Sequence, residues 1–356
     1  MKKKILYIVN PISGTRSKRT IAKEAETLTN RDMYDVNVCF TDYKGHASIL
    51  TKEAVAQGLD VVVAVGGDGT VNEVARALVH SNTALGILPC GSGNGLARHL
   101  HIPLNPVKAI EIINQAMVQD LDYGTINDRP FFCTCGVGFD ALISEKFAEA
   151  GRRGLLTYAE NTLRQSLVYK PETYTIEFPD GIDRCKAFLI ACANASQYGN
   201  DAYIAPQASM KDGLFNVVVM EPFTPIDAPQ VTFQLFGGTI SSNSHVRTFK
   251  TNSLIIHREN TGVAHCDGEP FFTGRSIKIH MHHKAFKALV NPKTDEEKMV
   301  PVTPIQMISQ FWGEIRKGGP VWSPAFSENL LKQVASDFKR LNPRLFEKLK
   351  GNKSKF

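Results

Sequence analysis

Three short segments of the chain put glycine, hydroxyl and acidic side chains directly behind apolar runs. In "VVVAVGGDGTVNEVARAL" (61–78) five apolar residues lead into Gly66, Gly67, Asp68, Gly69 and Thr70. In "NPISGT" (10–15) Ser13, Gly14 and Thr15 follow the first apolar run, and in "PCGSGNGLARHL" (89–100) Gly91, Ser92, Gly93 and Asn94 follow another. Glycine lets a backbone approach a ligand closely because no Cβ intervenes. Free N–H groups at a helix start attract an anion. Together these features describe a phosphate cradle. An aspartate at its centre would repel a bare phosphate unless a cation lies between them or unless it acts on a hydroxyl. Asp68 is therefore read as a magnesium-linked acid or a general base; a tight turn with Asp68 as helix cap is the purely structural alternative. Neither G-x-G-x-x-G nor G-x-x-x-x-G-K-[ST] is present.

Two later turns carry acids. "KDGLF" (211–215) holds Asp212, and "CDGEPF" (266–271) holds Asp267 and Glu269. Phosphoryl transfer needs charge neutralisation, in-line positioning and an acceptor for a hydroxyl proton. Acid-bearing turns from two halves of a chain, facing each other across a cleft, would meet those needs. Asp-Gly is also a common pair in ordinary β-turns.

The scaffold that must position these residues is legible in the patterning. Apolar runs at "KILYIVN", "DVNVCF", "DVVVAV" and "ALGILP" alternate with helical patterns at 16–30, 46–58 and 70–79, and "GNGLARHL" opens another helix. Short, continuous apolar strands between helices predict a parallel sheet covered on both faces, with ligands beyond the carboxyl ends of the strands. After about residue 120 the texture changes. Helical stretches at about 140–150 and 154–168 precede a run of short strands: "TYTIEF", "CKAFLIACAN", "LFNVVVM", "SLIIH", "SIKIHM" and "AFKALVN", with a helix near 225–238. The expectation is an α/β nucleotide-binding domain over 1–125, a β-rich sandwich-like domain over 126–292, and a linker with basic amphipathic helices over 293–356.

Composition narrows the classes. With 356 residues, 43% hydrophobic and 21% charged, the chain is long enough for about two globular domains of roughly 100–200 residues. No stretch reaches the roughly 20 apolar residues of a membrane span. The apolar run Ile5–Val9 is too short for a signal peptide, so it reads as a strand and the protein as cytoplasmic. The seven cysteines are scattered, with no C-x-x-C pair, which fits buried reduced thiols. "HMHH" (280–283) puts His280 and His282 on one strand face without a nearby acid, and an exposed strand end is preferred to a metal site.

Taken in order, "NPISG", "TDYKGHA", "GGDGTVNEV" and "PCGSGNGLAR" resemble the catalytic domain of the diacylglycerol kinase and sphingosine kinase family, nearest to its bacterial soluble lipid kinases. "LDYGTINDRPFFCTCGVGFDA", "APQASMKDGLFNVVVM" and "CDGEPF" extend the resemblance to about residue 292. Gly-Gly-Asp-Gly-Thr alone also occurs in NAD kinases. The resemblance implies a two-domain kinase that uses ATP and Mg2+. It carries nucleotide binding to Asn10, Ser13, Gly14, Thr41, Gly66, Gly67, Asp68, Gly69, Thr70, Asn72, Ser92, Gly93 and Asn94, to which the glycine turns add Thr15 and Gly91. Asp212 matches a metal-linked acid, and Ser209 and Leu214 match positions that hold the same metal through main-chain oxygen. Asp267 and Glu269 match acids at the reaction centre; Asp68, Asp267 and Glu269 are the candidates for taking the proton. Many bacterial members carry threonine and aspartate where this chain has Ser92 and Asn94, so this loop is nearer the sphingosine kinase pattern. Asp140 of "GFDA" is assigned to the lipid head group.

The expected activity is phosphorylation of a primary hydroxyl on a membrane lipid, a diacylglycerol or a sphingoid base, in lipid metabolism. The alternatives are an NAD kinase-like enzyme and a non-catalytic lipid or nucleotide binder on the same fold. Residues 331–356 hold eight Lys or Arg against two acids, a surplus equal to the whole chain's +6. Partner attraction is therefore sought there, as peripheral contact with an anionic membrane; the alternative is a helix that packs its apolar face back on the first domain. Nothing calls for a nucleic acid partner, and a homodimer is left open.

Overall fold

The computed structural model describes residues 2–14, 17–150, 169–224 and 227–292. The helix expected at 154–168, Thr15, and the linker and basic tail at 293–356 lie outside the described residues.

Four parallel strands start the chain: β1 (Lys3–Val9), β2 (Tyr34–Phe40), β3 (Val61–Gly66) and β4 (Ala84–Pro89). Every residue of β3 and β4 is buried, whereas β2 alternates between burial and exposure. That difference sets the order β2-β1-β3-β4, with β2 at the edge. Helices α1 (Lys18–Leu28), α2 (His46–Ala56), α3 (Asp68–Leu78) and α4 (Gly95–His99) follow the four strands. Helix α5 (Pro106–Gln115) was not anticipated. Its signals are present: Pro106 opens it, and the Asn105 side chain accepts from the N–H groups of Val107 and Lys108.

The later strands are β5 (Val118–Ile126), β6 (Arg129–Phe131), β7 (Thr134–Gly138), β8 (Glu172–Phe178), β9 (Gly181–Ala187), β10 (Leu189–Ala193), β11 (Phe215–Met220), β12 (Val246–Thr251), β13 (Ser253–Arg258), β14 (Gly262–Cys266), β15 (Glu269–Thr273) and β16 (Ser276–Leu289). Helix α6 (Phe139–Ala150) and α7 (Ala228–Phe236) interrupt them. One sheet runs β12-β11-β10-β7-β14-β15, wholly antiparallel. It faces β8, β13 and the first half of β16 across a shared core. Val217 and Val219 of β11 enter that core, while Val218 and Met220 point to the opposite face, which packs with Phe139 and Ile143 of α6. The chain is thus an α/β domain joined to a β-rich sandwich, as expected.

"SIKIHM" and "AFKALVN" form one strand rather than two. β16 bends at a bulge between His282 and Phe286, where Lys284 has φ 49°. Beyond it, Lys287 and Ala288 pair in parallel with Ala84 and Leu85 of β4, and Phe286, Ala288 and Leu289 enter the core of the first domain. His282 therefore lies mid-strand, stacked on Tyr123 at 4.7 Å between ring centres. Among the described residues no group of three or more His, Cys, Asp or Glu is arranged to hold a metal, and no helix is long and apolar enough to cross a membrane.

Candidate active site

Register brings the polar turns together. Val9 is paired with Phe40 and with Val65, and Gly66 with Pro89, so four strands end level. The strand order reverses between β1 and β3, and a crevice forms at such a point beyond the strand ends. Asn10 bridges it: its Nδ2 donates to Thr70 Oγ1 at 3.0 Å, while its Oδ1 accepts from Ile12 N–H at 3.1 Å. Ser13 folds back onto the Asn10 carbonyl. Thr41, remote in sequence from any glycine turn, is buried beside Asn10 because its N–H donates to the Val9 carbonyl at 2.9 Å.

The glycines are required by contact. A Cβ on Gly14, whose φ is +65°, would lie 2.0 Å from the Cys90 carbonyl oxygen. A Cβ on Gly91 would lie 2.6 Å from the Gly67 Cα, so the two turns pack backbone on backbone. Gly91→Ala is expected to cost about 1–3 kcal/mol by overpacking, since a main-chain neighbour cannot rotate away. Urea unfolding measures that cost, and KM for ATP should rise with it. Asn94 is left-handed at φ 52°, a conformation asparagine tolerates. Its side chain both accepts from Gly91 N–H (3.0 Å) and donates to the Gly91 carbonyl (2.8 Å). An aspartate there could make only the first of these bonds. Ser92 and Gly69 stand at the exposed rim, and Asn72 is buried with its Nδ2 unpartnered.

Asp68 does not cap its own helix. Its two carboxylate oxygens accept from Asn94 N–H at 2.9 Å and Gly95 N–H at 2.7 Å, at the start of α4. The acid of one glycine turn thus fixes the other. Gly93 and Gly95 in turn pack against Gly199 and Tyr198 of the second domain, and Arg98 donates to both oxygens of Asp201 at 2.8 and 2.7 Å.

Across the cleft, Asp267 and Gly268 form the two-residue loop of the β14–β15 hairpin, with φ 50° and 77°. The Asp267 carboxylate is enclosed. It accepts from Phe132 N–H (2.9 Å), Cys133 N–H (2.7 Å) and Thr134 N–H (3.1 Å). Burial pushes its pKa up, against those three donors and the Arg76 guanidinium. The Cys133 thiol is pushed well up by burial, then by Asp267 and Asp68. Glu269 does not stand free at the reaction centre. Its Oε2 accepts from Arg76 Nη1 of α3 at 3.0 Å. Arg76 was not singled out by sequence, because one basic residue on an amphipathic helix resembles any solvated surface position.

Two of the assigned acids are engaged by the chain's own groups in this structure. Asp140 is turned inward with its side chain 8% exposed. Its Oδ2 accepts from His265 Nε2 at 3.0 Å and from the Tyr198 hydroxyl at 3.2 Å, so in this structure it supports the interior. Asp212 is a partly exposed acid partnered by groups of the chain itself. Lys250 Nζ donates to its Oδ2 at 2.6 Å and Leu214 N–H to its Oδ1 at 3.1 Å, while the Ser209 hydroxyl accepts from Lys211 N–H. Chelation tests the metal assignment: a fall in melting temperature with EDTA, reversed by Mg2+, is the result expected if a cation displaces Lys250 from Asp212, and an unchanged melting temperature is the result expected if the pair persists.

Residues 4–126 match the diacylglycerol kinase catalytic domain, and residues 133–281 match the YegS C-terminal NAD kinase beta sandwich-like domain. A Klebsiella pneumoniae protein named "Probable lipid kinase YegS-like" is 30% identical over 79% of this chain and 95% of its own length. A diacylglycerol kinase of Bacillus subtilis is 24% identical over 83% of this chain and 99% of its own. Among solved structures, a diacylglycerol kinase of Bacillus anthracis superposes with TM-score 0.65 at 21% identity, covering 82% of this chain and 98% of that one.

Proposed function

The chain belongs to the lipid kinase family that joins a diacylglycerol kinase catalytic domain to a YegS-type β-sandwich, and we propose that it moves the γ-phosphoryl group of ATP to a primary hydroxyl of a membrane lipid, a diacylglycerol or a sphingoid base. The observation that supports this reading is the contact between helix α3, which opens in the glycine turn at the β1/β3 switch point, and the Asp267 hairpin, whose flanking Cys266 and Glu269 are both reached by Arg76 of that helix.

The crevice suits a nucleotide's phosphates. Its turns lack Cβ atoms where any would collide, and the buried Asn72 Nδ2 has a donor to spare. Magnesium carried on those phosphates would neutralise charge, and Asp68 would hold it, because each of its oxygens accepts one backbone N–H and keeps a lone pair. Asp267 takes the proton as the acceptor O–H bond breaks. The new O–P bond forms, the bond to the β-phosphate oxygen breaks, and ADP leaves. Glu269, tied to Arg76, shapes the site's field rather than accepting the proton. Contact with the bilayer is peripheral, at the cytoplasmic face, and the basic segment 331–356 is its natural carrier.

The test is transfer of labelled γ-phosphate from ATP to a panel of diacylglycerols, sphingoid bases, ceramide and NAD, with Asp68→Ala as the blank. Label on a diacylglycerol or a sphingoid base, absent from the blank, supports the reading and names the lipid class. Label on NAD alone overturns it.

A further inference from the structure

Arg76 lies two helical turns beyond Asp68 on α3, yet its guanidinium makes its contacts in the second domain. Nη1 donates to Glu269 Oε2 at 3.0 Å, Nε to the Pro130 carbonyl at 3.3 Å, and Nη2 to Cys266 Sγ at 3.6 Å. Those partners belong to β15, β6 and β14, so a single side chain gathers three strands. Two of them, β14 and β15, flank the Asp267 loop. The cation borders a cavity of about 230 Å³ with Asp128, Arg129, Pro130, Cys266 and Glu269. Its side chain is 28% exposed, so the charge acts through a medium less screening than bulk water. Burial works against that charge, and Cys266, Glu269 and Asp267 outweigh it.

We propose that Arg76 is a positioning residue of the reaction centre: it pins the acid-bearing hairpin of the second domain to the helix that carries the nucleotide turn, and it supplies the fixed positive charge that Asp267 faces. A planar fork with several donors suits this task, because one group can satisfy a carboxylate, a carbonyl and a thiol at fixed angles. Lysine, with one point of charge, cannot make all three contacts.

The groups around Asp267 determine how the charge is felt. Arg76 reaches it from α3, Cys133 and Cys135 lie on the β7 side, and Cys266 and Glu269 flank it. Asp68 bears on the same thiol, Cys133, from the start of α3. His265 of β14 accepts from Gly268 N–H through Nδ1 at 3.4 Å. Arg76 is the cation among these that lowers the Asp267 pKa, while burial raises it. Removing the guanidinium should therefore raise it further, and the acidic limb of the rate profile should move to higher pH.

This inference rests on the proposed phosphoryl transfer, so its test carries one readout tied to turnover and one that is not. In the holoenzyme assay with ATP, Mg2+ and the accepting lipid, Arg76→Gln is expected to shift the acidic limb of kcat/KM to higher pH. Arg76→Lys should recover most of that shift without recovering the full rate. An acidic limb that stays in place in Arg76→Gln overturns the proposal, whatever the loss of rate. Amide hydrogen exchange of the full chain at Phe132, Cys133 and Thr134 should accelerate in Arg76→Gln, since those N–H groups bond Asp267. Unchanged exchange counts against Arg76 even if the wild type phosphorylates none of the lipids offered, an outcome that would by itself sink only the transfer reading.

Discussion

Asp267→Asn is expected to lower lipid phosphorylation by about 10²–10⁴-fold, the range that a lost general base covers, while KM for ATP stays near its starting value. The acid sits on the sandwich side of the cleft, away from the glycine turns, so nucleotide affinity should be spared. Asparagine keeps one carbonyl oxygen but turns an amide donor toward one of the three N–H groups that the carboxylate satisfies. That mismatch should cost about 1–3 kcal/mol of stability, which urea unfolding separates from the kinetic loss. Burial raises the Asp267 pKa, and the ionised form is the competent base. The wild-type rate should therefore fall as pH drops through that raised value, and the residual rate of the variant should lack this limb. A kcat within tenfold of wild type would remove Asp267 from the role.

Asp68→Asn should fail differently. The carboxylate organises the second glycine turn through Asn94 N–H and Gly95 N–H, charge-assisted bonds worth about 1.5–3 kcal/mol each. An amide in its place satisfies one donor and opposes the other, so the start of α4 loosens and the phosphate cradle loses its shape. Misplacement of bound phosphates is expected to cost about 10²-fold or more in kcat/KM, and here the rise in KM for ATP should be the larger part. Steady-state kinetics with ATP as the varied substrate separates the two variants: Asp68→Asn moves KM, Asp267→Asn moves kcat. If both moved the same parameter, the division of labour across the cleft would be wrong.

The nucleotide-binding half of the molecule could be read from sequence because its determinants are local. "VVVAVG" is apolar at every position and is buried at every position; "GGDGT" follows it and forms the turn. Level strand ends then bring the turns together without further information. The second half is less legible because long-range pairing decides it. Gly262–Cys266 and Glu269–Thr273 pair with each other as a hairpin, and β7, more than a hundred residues earlier, joins them to the sheet. Side-chain partners separated by more than a hundred residues are the hardest to foresee. Asp212 of "KDGLF" has an ordinary metal-site context, and only the fold brings the Lys250 ammonium onto it. Arg76 and Glu269 are 193 residues apart. Asp140 stands after a glycine turn in the sequence, and only the sheet presents His265 to it.

The return of β16 to β4 has a consequence for biosynthesis. When β4 emerges from the ribosome, its outer edge has no neighbour, and it gains one only when Lys287 and Ala288 arrive. At about 5–20 residues per second, the roughly 200 residues between them take on the order of 10–40 s to make. For that interval the nascent first domain presents an unpaired, fully apolar strand, the kind of edge that recruits other chains. The pairing that completes this domain is supplied by residues 276–289, so synthesis of β16, rather than of the first domain alone, marks the moment when its sheet can close.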